Sequence, residues 1–338
     1  MRLTRRVADP RIDRPRDVRR GPGTARAHSP RRSRAIRPPV IRIHAAGGRA
    51  TIQDAGRFGH LREGLPPSGP ADPSAFFAAQ WLVGNDGSAA AIEVVGSPFV
   101  FSCEDRRLIA VTGREVALRS RDRLPGWTAA FVRPDEEITV IASERTRFAY
   151  VAVSGGIATE PVLGSRATYL PAGLGHLVRT GDSWPLGPAR VDPTGAGRTA
   201  KAPEYQDEFV RAITGPHVER FTDQEAEGFF SSQFIVDAMS DRMATRLLGN
   251  LVRSRGGEIL TCGVIAGAVQ VPSGGQPIIL LAEHQVTGGY PVIATVITAD
   301  LGRVAQRLPG EPLRFARVER DRATDALRGE RMTSGPSA

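Results

Sequence analysis

Lysine is almost absent from this chain, since Lys201 is the only lysine among 45 basic residues. A Walker A loop needs a lysine directly after its glycines, but Lys201 follows Thr199-Ala200, so the chain does not bind ATP through a P-loop. Cysteine is also scarce, and Cys103 and Cys262 match no metal-binding or redox spacing. Two cysteines in a chain of this size suit a reducing compartment, so we expect a cytoplasmic location.

Long apolar runs are missing as well, and no run approaches the roughly 18 apolar residues of a membrane span. The six histidines show no His-Glu-x-x-His spacing, which argues against a zinc hydrolase, and we predict no metal site. The formal charge of +9 arises in the first 40 residues, which hold 13 arginines and three aspartates. The rest of the chain holds 32 basic and 33 acidic residues, so charge gives no reason to expect a nucleic-acid partner.

Residues 1–39 are rich in arginine and proline and have few apolar residues to bury, which predicts a disordered extension. They contain no apolar segment of the kind found in secretory signals. A basic arm for nucleic acid and a transit-like segment are the alternatives to a plain unstructured extension.

Segments after Val40 predict a mostly β protein with a few short helices. Asp72-Pro73 is a helix start, because aspartate caps and proline fits the first turn, and the helix should run over residues 73–82. Residues 90–153 contain short apolar segments with turn residues between them, which is typical of a barrel or sandwich. Residues 185–201 are rich in proline and glycine and form the best candidate linker.

The second half repeats this mixture of strands and short helices. Thr222 and Asp300 are predicted to cap helices that end near Phe230 and Leu308. The apolar segments 278–282 and 292–298, on either side of a glycine pair, predict a β-hairpin. We therefore predict two barrel-like domains, residues 40–200 and 201–322, followed by a polar tail over 323–338.

Three polar clusters are candidates for a binding or catalytic site: one around Asp54, Arg57, Ser68 and Asp72, one at residues 240–242, and one over residues 270–290. Arginine beside hydroxyls, amides and glycines suits a planar carboxylate or carboxamide, since guanidinium offers two parallel donors. A nearby carboxylate or imidazole could move a proton on such a ligand. The alternative is that each cluster has only a structural role, for example in a local ion pair between neighbouring residues or in stabilising a turn.

Ser154 lies in Ala152-Val-Ser-Gly-Gly156, which approaches the nucleophile elbow of hydrolases. The helix that should follow such an elbow is missing, because Thr159-Glu-Pro161 intervenes. We therefore expect Ser154 to close a strand rather than attack a substrate.

An ordered series of motifs runs through the chain from about residue 41 to residue 320. It comprises Thr51-Ile-Gln-Asp-Ala-Gly-Arg57, Gly64-Leu-Pro-Pro-Ser-Gly-Pro-Ala-Asp72, Ala149-Tyr-Val-Ala-Val-Ser-Gly-Gly156, Ser240-Asp-Arg-Met243, Gly267-Ala-Val-Gln-Val-Pro272 and Gln285-Val-Thr-Gly-Gly-Tyr-Pro291. This series resembles the allophanate hydrolase subunit 2 family. That family includes the C subunit of bacterial 5-oxoprolinase and the carboxyltransferase region of urea carboxylase.

The resemblance implies two cyclophilin-like β-barrel domains and an obligate B-type partner, similar to allophanate hydrolase subunit 1. In the 5-oxoprolinase system these act with an A-type subunit, of the LamB/YcsF kind, to open 5-oxo-L-proline to L-glutamate using ATP. One alternative is a biotin-dependent carboxyltransferase acting on a urea- or amide-like acceptor. Another is a non-enzymatic regulatory partner of a B-type protein that resembles a kinase inhibitor.

Two segments depart from the family pattern. Glu283-His284-Gln285 stands where the family commonly has Asp-Arg-Gln, and Ala244-Thr245 replaces a glycine and an aromatic residue. Losing an arginine at 284 removes a permanent charge and its paired donors, which implies either a different substrate or reduced activity. The clusters and motifs together predict ten site residues: catalytic Asp241, Arg242, Glu283 and His284, and substrate-binding Ser68, Asp72, Gln270, Gln276, Gln285 and Tyr290.

Overall fold

The structure is a computed structural model that describes residues 37–189 and 193–333 of the chain. The extension predicted to be disordered lies almost entirely outside the described residues, so its disorder stays a prediction. The described residues from Pro38 onward form one compact unit. No helix among them is long and apolar enough to cross a bilayer.

Two six-stranded antiparallel sheets form the first half of this unit. The twelve strands are β1 (Val40–Ala46), β2 (Arg49–Gln53), β3 (Ala91–Val95), β4 (Phe99–Cys103), β5 (Arg107–Gly113), β6 (Val116–Arg119), β7 (Arg123–Pro125), β8 (Ala130–Val132), β9 (Ile138–Ala142), β10 (Ala149–Val153), β11 (Leu177–Val178) and β12 (Ser183–Pro185). Their orders are β12-β1-β4-β9-β6-β7 and β11-β2-β3-β10-β5-β8. The strands expected over residues 90–153 are confirmed, whereas the first half is built from these two sheets and not from one closed barrel.

The second half contains a closed seven-stranded barrel, which confirms a barrel for that half. The strands of the second half are β13 (Phe209–Thr214), β14 (Gln233–Val236), β15 (Ala244–Gly249), β16 (Cys262–Gly263), β17 (Ala268–Gln270), β18 (Ile278–Leu280), β19 (Thr287–Gly288), β20 (Val292–Val296) and β21 (Pro312–Arg317). β16 and β19 form a separate two-stranded sheet, and the other strands form the barrel. The barrel order is β13-β20-β17-β18-β15-β14-β21.

The predicted hairpin between residues 278–282 and 292–298 is wrong, although both strands exist. β18 and β20 each pair with β17, which lies between them in the barrel. The segment between β18 and β20 instead places β19 against β16. A glycine pair between two apolar segments allows a tight turn but does not require one.

Four α-helices accompany the strands in the described part of the chain: α1 (Pro73–Leu82), α2 (Asp223–Ser231), α3 (Leu301–Ala305) and α4 (Arg320–Thr333). Asp72 and Thr222 cap α1 and α2 by accepting from the amides of Ala75 and Glu225, as predicted. Asp300 does not cap α3 with its side chain, because its carboxylate binds Arg211 at 2.6 Å, and α3 ends before Leu308. α4 occupies most of the stretch predicted only as a polar tail.

β5 and β10 are buried along their whole length and separate two hydrophobic cores. Alternate side chains of a strand point to opposite faces. Ile109 and Val151 therefore join the core between the two sheets, whereas Ala110 and Tyr150 face α1 and join a core that continues into the barrel. Tyr150 therefore belongs to the hydrophobic core that joins the two halves.

The linker predicted over residues 185–201 packs along the first half where it is described. The amide of Ala129 donates to the carbonyl of Arg198, and the amide of Ala200 donates to the carbonyl of Trp127. The domain limits at residues 200 and 322 stay predictions, since one hydrophobic core includes residues from both sides of the first limit. Ser154 closes strand β10 as expected, because it follows Val153 and its hydroxyl accepts from the amide of Leu108 at 3.0 Å.

Candidate functional site

Residues from both halves of the chain meet at the predicted site residue Arg242, which is 4% exposed. Its Nε donates to Glu283 Oε1 at 2.7 Å, its Nη2 donates to the Gly69 carbonyl at 2.6 Å, and its Nη1 donates to Glu93. Gly69 and Glu93 belong to the first half, whereas Glu283 follows β18 of the barrel. The three polar clusters identified in the sequence therefore converge on one guanidinium.

The charge of Arg242 is compensated within the protein. Burial acts against the charged guanidinium, but the carboxylates of Glu93 and Glu283 outweigh it and raise the pKa of Arg242. One cation between two carboxylates leaves this group of three side chains with a net negative charge. Arg242 is therefore suited to holding the two carboxylates and poorly suited to attracting an anionic ligand.

Asp241 shapes the turn before β15. Its Oδ1 accepts from the amides of Met243 at 2.8 Å and Ala244 at 3.1 Å, and the residue is exposed. The alternative of a local ion pair with Arg242 is wrong, because Arg242 points inward to Glu93 and Glu283. A role for Asp241 in catalysis stays a prediction.

Ser68 lies in a strained loop, directly before the glycine whose carbonyl binds Arg242. It adopts a φ of 55°, in the left-handed region that disfavours residues with a Cβ, and it is buried. Its hydroxyl donates to the Thr168 carbonyl at 2.7 Å. The next residue, Gly69, has a φ of 79°, and a Cβ there would lie 3.1 Å from the Ala55 carbonyl oxygen. Close contacts with the backbone therefore hold this loop in the conformation that directs the Gly69 carbonyl towards Arg242.

His284 is a neutral, buried imidazole next to Glu283. Burial lowers its pKa, against the opposing effect of the Gln285 carbonyl, which lies 2.6 Å from Nδ1. A carbonyl only accepts, so Nδ1 carries the proton and Nε2 keeps a lone pair. Such an imidazole can act as a proton acceptor.

Asp72 is fully buried, and neutral groups donate the hydrogen bonds to its carboxyl. Its Oδ2 accepts from the Tyr205 hydroxyl at 2.7 Å and from Gln306 Nε2 at 3.0 Å, and its Oδ1 accepts from the amide of Ala75. Burial raises the pKa of the Asp72 carboxyl, although these three donors oppose the shift. Because Tyr205 and Gln306 lie in the second half of the chain, Asp72 ties the two halves together rather than facing a ligand.

Two of the predicted amides lie together, at the end of β17 and beyond β18. Gln285 Nε2 donates to Gln270 Oε1 at 3.0 Å, with Gln270 buried and Gln285 exposed. Gln270 packs so closely on Gly288 that a Cβ at Gly288 would meet its amide nitrogen. Gln276 is exposed and Tyr290 is half-buried. The predicted substrate-binding roles of these four residues stay predictions.

The structure adds Glu93 and Tyr150 to the group around Arg242. The Tyr150 hydroxyl donates to Glu93 Oε2 at 2.8 Å and accepts from the amide of Asp72 at 2.7 Å. Glu93 carried a signal in the sequence, since an acidic residue inside the apolar strand Ala91-Ile-Glu-Val-Val95 must find a partner when buried. Tyr150 carried no such signal.

The arrangement suits proton transfer on a small polar ligand. Arg242 links the carboxylate of Glu283 to the strained Ser68–Gly69 loop, and the neutral imidazole of His284 follows Glu283 in the chain. A carboxylate and an imidazole can form hydrogen bonds to an amide group. Among the described residues no group of three His, Cys, Asp or Glu side chains could hold a metal ion.

Comparison with known proteins gives the relatives of this chain. The C subunit of 5-oxoprolinase from Escherichia coli (strain K12) is 33% identical over 294 residues, which cover 85% of this chain and 94% of that protein. The crystal structure of TTHA0988 superposes with a TM-score of 0.75 at 28% identity and covers 83% of this chain. The urea amidolyase of K. lactis superposes with a TM-score of 0.79 at 25% identity and covers 89%.

The two solved relatives are longer proteins, since the matched region makes up 56% of TTHA0988 and 20% of the K. lactis enzyme. The model of the family described as carboxyltransferase domain, subdomain A and B, matches residues 63–317. This match spans most of both halves and includes Arg242 and Glu283. The chain therefore belongs to the carboxyltransferase domain, subdomain A and B, family and is homologous to the C subunit of 5-oxoprolinase.

Proposed function

We propose that this chain is the C-type subunit of an ATP-dependent 5-oxoprolinase that opens 5-oxo-L-proline to L-glutamate. The observation that carries the proposal is the similarity to the C subunit of the Escherichia coli 5-oxoprolinase, which extends over 94% of that protein. The bonds of Arg242 to the Gly69 carbonyl and to Glu283, which is followed by His284 in the chain, support it, because a lactam needs hydrogen-bonding groups and a proton acceptor.

In this proposal His284 accepts a proton from the attacking water, and Glu283 and the Ser68–Gly69 loop orient the ligand. Hydrolysis of a lactam requires a base for the water and a proton for the leaving ring nitrogen. A neutral imidazole performs both steps in turn, since it returns the proton that it has taken. Arg242 supports these groups through its bonds to Glu283 and Gly69.

ATP is the co-substrate of the proposed complex, and the residues of this chain do not fit it well. The chain has no P-loop, and the buried guanidinium of Arg242 is already matched by two carboxylates. We assign ATP binding to another subunit of the complex and derive no step of this site from it.

We further propose that B-type and A-type subunits complete the enzyme in the cytoplasm. The Escherichia coli relative is itself one subunit of an enzyme, which supports a complex with several subunits. We also propose that residues 40–200 and 201–322 correspond to two cyclophilin-like domains. The closed barrel of the second half, and sheets of similar size in the first, support this proposal.

Biotin-dependent carboxyl transfer to a urea- or amide-like acceptor is the second candidate. The similarity to urea amidolyase at a TM-score of 0.79 favours it. Biotin would be carried by another protein or domain, and the same hydrogen-bonding region would receive the acceptor amide. A purely regulatory role beside a B-type protein is the non-enzymatic alternative.

The deciding experiment is co-expression of this chain with B-type and A-type subunits, followed by measurement of ATP-dependent glutamate release from 5-oxo-L-proline. The proposal expects release that depends on all three chains and is lost in His284→Gln. A well-formed complex that releases no glutamate would contradict it. Carboxyl transfer from a carboxybiotin donor to urea by the same preparation would favour the second candidate.

The variant His284→Arg restores the residue that the family commonly carries and tests the departure at this position. If His284 is the proton acceptor, this variant loses activity towards 5-oxo-L-proline. If activity rises instead, the imidazole is a weakened substitute for the guanidinium and not the base.

A further inference from the structure

A chain of buried hydrogen bonds runs from Arg242 through Glu93 and Tyr150 to the amides of Ala71 and Asp72, which follow the Ser68–Gly69 loop. Arg242 Nη1 donates to Glu93 Oε1, and the other oxygen of Glu93 accepts from the Tyr150 hydroxyl at 2.8 Å and from the amide of Ala71 at 3.0 Å. Glu93 is 2% exposed and Tyr150 is 0% exposed. Both oxygens of this carboxylate are thus fully engaged inside the protein.

Glu93 and Tyr150 lie on neighbouring strands of a rigid sheet. β3 pairs with β10, and Glu93 is directly opposite Tyr150 in the register. Side chains at opposite positions of an antiparallel pair point to the same face and lie close together. The sheet of the first half therefore fixes the point at which Arg242, from the second half, is held.

Arg242 in turn holds Glu283 in place. Its Nε binds Glu283 at 2.7 Å, and the Arg242 carbonyl accepts from the Glu283 amide at 3.0 Å. The side chain of Arg242 is clamped between a carboxylate of each half, so a shift of Glu93 would move Glu283 relative to the Ser68–Gly69 loop.

We propose that Glu93 and Tyr150 are positioning residues, which hold Arg242 and through it place Glu283 against the Ser68–Gly69 loop of the site. Their role is to set the distance between groups that the two halves contribute separately. A displacement of about 1 Å in such a site can lower turnover about 100-fold. The kinetic test of this inference rests on the proposed function. A second test is independent of that function.

Tyr169 supplies that second readout. Burial and, after it, the negative charge of Glu283 raise the pKa of the Tyr169 hydroxyl. The chain has four tyrosines, and the titration of Tyr169 can be identified by its loss in Tyr169→Phe. Its ionisation, followed by ultraviolet absorbance in the isolated chain, therefore reports the charge and position of Glu283 without any assay of activity.

Glu93→Gln is the principal variant, and Glu311→Gln is its matched control. Glu311 also binds a buried arginine across the two halves, since its oxygens accept from Arg114 at 2.6 and 2.7 Å. Its other ion pair is with Arg145, which lies outside the group around Arg242. Both variants weaken a charged contact between the halves, but only Glu93→Gln acts on Arg242.

In the reconstituted complex we expect Glu93→Gln to lower kcat for 5-oxo-L-proline about 100-fold, because Glu283 is displaced. In the isolated chain we expect the pKa of Tyr169 to fall towards its ordinary value, because Glu283, whose charge raises that pKa, moves away when Glu93 no longer holds Arg242 in place. Glu93→Asp keeps the negative charge and should recover part of both effects. Glu311→Gln should lower the melting temperature and leave both readouts close to those of the wild type.

The proposal is overturned if Glu93→Gln folds and neither kcat nor the Tyr169 titration differs from those of Glu311→Gln. If Glu93→Gln does not fold, Tyr150→Phe decides, since it leaves the Arg242–Glu93 pair in place. A lower kcat in Tyr150→Phe supports the proposal, and an unchanged kcat overturns it. If the wild-type complex opens no 5-oxo-L-proline, the proposed function fails, and the Tyr169 titration still tests the positioning role.

Discussion

Two buried arginines flank the Ser68–Gly69 loop, and they are stabilised in different ways. Arg242 is held by the carboxylates of Glu93 and Glu283. Arg57 is 1% exposed and binds main-chain carbonyls, with Nε 3.0 Å from Val162 O and Nη2 2.9 Å from Ala167 O. Arg242 therefore sits in a group of charges, whereas Arg57 acts mainly as a donor of hydrogen bonds.

The pKa shifts of the two guanidinium groups go in opposite directions for this reason. Burial lowers the pKa of Arg57, and the charge of Asp54 offsets that effect only in part. At Arg242 the two carboxylates outweigh burial and raise the pKa. A buried cation with two anionic partners leaves both partners unpaired when it is removed, whereas a cation bound to carbonyls leaves only neutral acceptors. The comparison thus predicts a larger loss of stability at Arg242.

Arg242→Ala is the change with the largest expected effect. It leaves Glu93 and Glu283 buried without their cation, which should lower the free energy of unfolding by about 3–5 kcal/mol. Urea denaturation measures this loss, and Arg246→Ala, at an exposed position of β15, is the control. A triple variant that also carries Glu93→Gln and Glu283→Gln should regain part of the stability. Equal stability of Arg242→Ala and the control would contradict the ion-pair account.

Arg57→Ala should have a smaller effect of about 1–3 kcal/mol, because carbonyls of the 162–167 loop lose their donor while no anion is stranded. Hydrogen exchange should show faster exchange in that loop. Arg62→Ala, at an exposed position, serves as the control. A loss as large as that of Arg242→Ala would mean that Arg57 also compensates a carboxylate.

Asp72 extends the comparison to a buried carboxyl group with neutral donors, and its effect depends on pH. Burial raises its folded-state pKa above the unfolded value of about 3.9, so the folded state binds more protons between those two values. The contribution of Asp72 is complete below the unfolded pKa and is lost as the pH rises through the folded pKa. The stability of the wild type minus that of Asp72→Asn should therefore decrease as the pH rises from about 4. A difference that stays constant or increases with pH would show that Asp72 is held as a carboxylate.

Ser68→Ala should have the smallest effect, about 1 kcal/mol, since it removes the hydrogen bond to the Thr168 carbonyl and keeps the strained φ. Thermal denaturation measures the change. Ser68→Gly removes the same bond but relieves the strain, so it should be the more stable of the two. The reverse order would show that the left-handed conformation at Ser68 is not strained.

Local signals in the sequence were sufficient for much of the fold. The caps at Asp72 and Thr222, and the strands over residues 90–153, follow from rules that act within a few residues. The pairing of strands was harder, and the hairpin predicted between β18 and β20 fails because β17, from earlier in the chain, lies between them. Strand order depends on which distant segments close the barrel, and no local pattern records it.

The candidate site shows the same division between local signals in the sequence and contacts between distant residues. Residue types and motifs selected Ser68, Arg242 and Glu283 as candidates, since forked donors, carboxylates and glycine loops suit polar ligands. Their convergence, and the hold of Glu93 on Arg242, depend on contacts between residues 41 to 173 positions apart. The sequence by itself therefore determined the β-rich architecture, the caps at Asp72 and Thr222 and the choice of polar groups. Only the tertiary structure decided which charges meet, because burial and pairing set the charge of a side chain and both are properties of the packed chain.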